Sequence, residues 1–298
     1  MLFLHCGATS GVSVGSCAQE DCALPSKGRD AYHKRRSVVQ KMVLDKLRVC
    51  EGTGMLILDI GNSKTKIARF VQDGIAERFL YDTEELLNAS FLSAKVLAHA
   101  GNDGIAYSCV VPPVTTLMDS LCQEMEIASF DVKSAGDLIV KVNYRIEELG
   151  GDRLADAVAA FRRYDPPVLA VDFGTATTYN IVRRDGTFDG GAIAPGIKTC
   201  IDFLIHRSGL LPDIPLRITE GVAGHTSEEA LVSGFYYTFT GQFKEISDQV
   251  AKHLGTAYET IGTGGMVDFA KKVFPHIIVD RDLTLFGIKM LYEENRDK

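Results

Sequence analysis

Apolar and polar residues follow one another along this chain in two blocks of the same design. In the first, the apolar run Met55-Leu-Ile-Leu58 meets the polar turn Asp59-Ile-Gly-Asn-Ser63, and Lys66-Ile-Ala-Arg-Phe70 resumes behind it. In the second, Val168-Leu-Ala-Val171 leads into Asp172-Phe-Gly-Thr-Ala-Thr-Thr178 and then Tyr179-Asn-Ile-Val182. Short apolar runs bounded by Gly, Asn and Asp predict strands, and the Gly61-Asn62 pair accepts the positive φ of a tight turn. Each block therefore predicts a β-hairpin. Both turns fit the frame D-x-G-x-x-x-T, which predicts an internally repeated fold.

Between the blocks the pattern becomes helical. Leu154, Ala157, Val158 and Phe161 recur at helical spacing, so Gly150-Gly-Asp-Arg153 opens a helix with Asp152 and Arg153 at its N-terminal end. Asp152 is open to two readings: an N-cap worth about 1 kcal/mol, or, in a cleft, a base for a substrate hydroxyl. Arg153 fits the structural reading poorly, because a cation at a helix start opposes the macrodipole; beside an anionic ligand it would fix charge. The consecutive prolines of Asp165-Pro-Pro167 disfavour helix, and a strand follows at once. This predicts a leader over 1–54, an N-terminal domain over 55–166 and a C-terminal domain over 167–298.

Composition narrows the class. The 298 residues are 46% hydrophobic and 24% charged, as in an ordinary globular protein. No apolar run nears the roughly 18 residues of a membrane span, and a net charge of -7 argues against life on nucleic-acid phosphates. Small-molecule partners are expected. The leader differs in kind: it holds eight Lys or Arg against five Asp or Glu, and four of the seven cysteines (Cys6, Cys17, Cys22, Cys50), without zinc-site spacing. It does not read as a secretory signal. Reduced thiols in a cytoplasmic protein are the expectation. Translation starting at Met55 is a further expectation, since Glu51-Gly52 would be encoded by a purine-rich, ribosome-binding-like sequence.

The turns carry more chemistry than a hairpin needs. If they face one another, their backbone N–H groups could approach a polyphosphate while Asp59 and Asp172 hold cations, an arrangement for ATP and Mg²⁺. Two unrelated hairpins with an Asp capping each turn is the plainer alternative. Neither turn is a P-loop and no G-x-G-x-x-G follows a strand, so those nucleotide folds are excluded. The third glycine cluster, Ile261-Gly-Thr-Gly-Gly-Met266, could lie against the adenosine end of a nucleotide.

From Met55 onward the chain resembles the type III pantothenate kinases of the acetate and sugar kinase, heat-shock ATPase and actin superfamily. The resemblance rests on an ordered series: DIGNSKTK, YSCVVPPV (Tyr107 to Val114), Tyr144 with GGDR, DFGTATT, GGAIAPG (Gly190 to Gly196), GHTSEEALVSG (Gly224 to Gly234), GTGG (Gly262 to Gly265) and VDRDLTLFGI. It implies two ribonuclease H-like α/β domains with mixed sheets and an ATP cleft between them. It also implies phosphorylation of pantothenate, the first step of coenzyme A biosynthesis, with Mg²⁺ and a monovalent cation (K⁺ or NH₄⁺), by a homodimer. By resemblance, Asp59, Ile60, Gly61, Asn62, Ser63, Lys64, Thr65 and Lys66 form the first phosphate loop, and Thr175 is a second ATP contact. Asp172 is the monovalent-cation ligand and Asp152 the base. Tyr144, Gly150, Gly151, Asp152, Arg153 and Ser227 bind pantothenate, with Thr226 one place from the aligned position. Ser63, Gly151 and His225 depart from the usual Thr, Ala and Lys. The alternatives are a nucleotide-binding regulatory protein on the same scaffold, or another small-molecule kinase of the superfamily.

Overall fold

The first apolar block forms strand β1, Met55–Ile60, and its antiparallel partner β2, Lys64–Val71, followed by β3, Gly74–Asp82. The computed structural model describes residues 54–101, 103–208 and 214–296. The expectations about the leader fall outside these, Gly54 apart. Short helical turns lead to β4, Ile105–Cys109, then helix α1, Pro112–Glu124, and strands β5, Ser129–Asp131, and β6, Lys141–Val142. Helix α2, Gly151–Arg163, precedes the second hairpin, β7, Val168–Phe173, and β8, Ala176–Val182. There follow β9, Thr187–Pro195, α3, Ile197–Ser208, α4, Ser227–Leu254, β10, Glu259–Thr263, α5, Val267–Val273, β11, Ile278–Val279, and α6, Leu283–Asn295.

The strands form two mixed sheets, ordered β3-β2-β1-β4-β5 and β11-β10-β7-β8-β9-β6. Taken from its other edge, the second repeats the first, with β6 added beyond β9. In each, the central strand pairs antiparallel with its hairpin partner and parallel with the strand on its other side, β4 or β10. The chain thus adopts two ribonuclease H-like α/β halves of actin-like ATPase type.

The central strands are buried on both faces, which is why they read as continuous apolar runs instead of alternating. Met55 and Ile57 of β1 join a core shared with Ala170 of β7 and Ile261 of β10, whereas Leu56, Leu58 and Ile60 join a core on the outer face. Helices α2 and α6 lie in the shared core. Helix α2 is buried from Arg153 through Ala160, and its small residues Ala155, Ala157, Ala159 and Ala160 allow close neighbours. Gly287 of α6 approaches so near that a Cβ there would sit 1.9 Å from the Ala155 carbonyl oxygen.

The repeated frame is not fully in step in three dimensions. Ile60 faces Thr65 in the first hairpin, but in the second Phe173 faces Thr177 and Asp172 faces Thr178. The second turn is one residue shorter, so the structural counterpart of Thr65 is Thr177. The frame's Asp and Gly positions coincide; its Thr does not.

Candidate active site

Side chains alternate across a strand, so Asp59 continues the face of Ile57 and Asp172 that of Ala170, both turned toward the shared core. The turns beyond them meet: Ser63 Oγ lies 3.0 Å from Thr175 Oγ1. Asp59 and Asp172 therefore stand at the two lips of one cleft. Lys66, opposite Asp59 on β2, holds its Nζ 3.8 Å from Asp59 Oδ2. The glycine cluster at the end of β10 closes on the second lip. Gly264 has φ +92°, and a Cβ there would lie 2.1 Å from Asp172 Oδ1. Met266 of the same cluster donates its N–H to the Phe173 carbonyl at 3.0 Å, which ties the cluster to the second hairpin.

The cleft concentrates negative charge. Burial pushes Asp59 up from 3.8 to about 7; Lys66 opposes the rise, and the Asp172 and Asp152 carboxylates add to it. Burial likewise raises Asp172 against the pull of Lys66. Lys66 is itself raised, because Asp59, Asp172 and Asp156 outweigh the effect of burial. Asp156, one helical turn beyond Asp152, is held well above the usual carboxylate range by burial and then by Asp172, although Thr284 Oγ1 donates to it at 2.7 Å. Asp59, Asp172 and Asp156 outnumber the one ammonium they share, which favours a bound cation. Among the described residues no three His, Cys, Asp or Glu side chains form a metal cage. One carboxylate per lip suits a hard cation that takes its other ligands from phosphate and water, and Asp172 Oδ1 is buried without a hydrogen-bond partner among the described residues.

The start of α2 supplies the other half of the site. Gly150 is the N-cap, so Asp152 is not; its Oδ1 accepts from the Arg153 N–H at 2.8 Å. Arg153 is buried, donates from Nε to Asn180 Oδ1 at 2.8 Å, and lies 5.3 Å from the Tyr144 ring centroid and 5.5 Å from that of Phe188. Its Nη2 has no partner among the described residues. Tyr144 is 38% exposed. A half-exposed ring, a buried cation with a spare donor and a carboxylate at a helix start make a site for a small polar anion.

The remaining expected residues divide. Gly61, Asn62 and Ser63 form the tip of the first turn, but the Ile60 side chain lies in the outer core. Thr65 is buried on the outer face with its hydroxyl 3.0 Å from that of Thr83, and the exposed Lys64 donates to Asp82 at 2.6 Å. Ser227 is the exposed first residue of α4, and no hydrogen bond among the described residues joins it to Tyr144, Asp152 or Arg153. Thr226 is the N-cap and accepts from the Glu229 N–H at 3.1 Å. Sequence reasoning missed Asp156 and Asn180. Asp156 was within reach, as it stands four residues after Asp152 on one helix face; Asn180 carries no local signal.

Two repeated α/β halves with a carboxylate on each lip of a cleft define an actin-like ATPase type of fold. The family model for type III pantothenate kinase matches residues 55–249. A type III pantothenate kinase of Brevibacillus brevis is 32% identical over 256 residues, covering 81% of this chain and 99% of the relative. One from Roseiflexus sp. is 32% identical over 253 residues, with the same coverage. A solved structure from Campylobacter jejuni, described as a Baf family transcriptional activator, superposes with a TM-score of 0.56 at 24% identity, over 82% of this chain and 100% of that one. The chain belongs to the type III pantothenate kinase family.

Proposed function

We propose that this protein transfers the γ-phosphoryl group of ATP to the terminal hydroxyl of pantothenate, the first step of coenzyme A biosynthesis. The reading is supported above all by the 3.0 Å contact between Ser63 and Thr175, which joins the two carboxylate-bearing turns as one triphosphate spanning both would require. The Gly61 to Ser63 turn, exposed at Asn62 and Ser63, and the exposed Thr175 bind phosphate oxygens. Asp59 and Asp172 fit Mg²⁺ and a monovalent cation respectively, which when bound offset phosphate charge. Arg153 and Tyr144 hold the anionic acceptor, and Asp152 receives the proton of its hydroxyl. In a loose phosphoryl-transfer transition state that proton leaves late, so alignment matters more than basicity.

Family membership and the exposed apolar side chains Phe203, Leu204 and Tyr237 on α3 and α4 support a homodimer. No described helix is long and apolar enough to cross a membrane. The test is incubation with ATP, Mg²⁺, potassium or ammonium and pantothenate, with acetate and common sugars as parallel acceptors. Phosphorylation of pantothenate alone is expected; transfer to a sugar or acetate, or to nothing, overturns the assignment.

A further inference from the structure

Each sheet carries the same pair of residues at the same register. Asp59 near the end of β1 pairs with Ser108 on the parallel strand β4, and Asp172 near the end of β7 pairs with Thr263 on β10. Two places earlier, Ile57 with Ala106 and Ala170 with Ile261 all join the shared core. By alternation, each hydroxyl stands beside its carboxylate on the face turned to the cleft. Ser108 is 1% and Thr263 0% exposed, and neither oxygen has a hydrogen-bond partner among the described residues. One unpartnered buried hydroxyl calls for an explanation; two at equivalent places in a repeated fold, each beside a carboxylate, form a pattern. Glycine keeps space at both: a Cβ at Gly151 would lie 2.9 Å from Ser108 Oγ, and one at Gly264 would press on Asp172.

We propose that Ser108 and Thr263 are a matched pair of positioning residues, hydrogen-bonding Asp59 and Asp172 respectively when a cation-bound polyphosphate occupies the turns. Each hydroxyl donates to its carboxylate and keeps lone pairs for a cation-bound water. This rests on the kinase reading above.

Ser108→Ala and Thr263→Val each remove one hydroxyl at nearly constant shape, and Thr263→Ser retains it. The primary readout is calorimetric binding of a magnesium-loaded, non-hydrolysable ATP analogue, which needs no acceptor. Ser108→Ala and Thr263→Val are expected to bind it about ten- to hundred-fold more weakly, the loss of one hydrogen bond to a charged group. Thr263→Ser should stay near the wild type, the KM for pantothenate should hold, and ligand-free melting temperatures should not fall. Wild-type affinity in the two hydroxyl-free variants overturns the proposal, as does an equal loss in Thr263→Ser, which marks a packing effect. Wild-type turnover measured alongside keeps the two readings apart: a wild type that binds nucleotide without phosphorylating pantothenate refutes the function and leaves the hydroxyl pair to be judged on binding.

Discussion

Replacing Asp59 by Asn tests the charge balance of the ligand-free cleft. Burial lifts this carboxyl from 3.8 to about 7, so the fold binds its proton more tightly than the unfolded chain does. The sign follows: the contribution is whole below pH 3.8, is lost progressively as pH rises to about 7, and is flat above that. The full loss is about 4 kcal/mol, of which roughly 3 falls between pH 5 and pH 8. It is an upper bound, because the side chain is 14% exposed. Asn mimics the protonated form and carries no such dependence. In urea denaturation with a chelator present, the stability of Asp59→Asn relative to wild type should therefore improve by up to about 3 kcal/mol from pH 5 to pH 8, or about 6–12 °C in melting temperature. A variant-minus-wild-type stability that stays constant or falls from pH 5 to pH 8 refutes the reasoning.

Three further outcomes follow from the site and the core. Asp152→Asn should lower kcat by about a hundred-fold or more, the range of general-base catalysis, with nucleotide affinity retained in calorimetry; near-normal turnover removes Asp152 from that role. Arg153→Met leaves Asn180 Oδ1 without its donor, and should raise the KM for pantothenate at least tenfold while costing about 1–3 kcal/mol of stability. Gly287→Ala drives a methyl group against the Ala155 carbonyl, and denaturation should register a loss of about 1–3 kcal/mol from overpacking.

The hairpins and the start of α2 were legible because their signals are local: apolar runs, a Gly-Asn turn, a helical period after Gly150-Gly-Asp-Arg153. What could not be read depends on pairing between distant segments. Thr65 and Thr178 align as letters but fall out of step because one turn is a residue shorter. Ser108 and Thr263 acquire meaning only through the register of β4 and β10, and Asn180 only through Arg153.

The Ser63 to Thr175 contact sets how firmly the two lips are joined. A bond between two exposed neutral hydroxyls contributes about 1 kcal/mol, which leaves it broken in roughly one molecule in six at room temperature. The lips are thus joined by a light clasp, and a ligand that replaces this contact with its own oxygens gives up only about 1 kcal/mol.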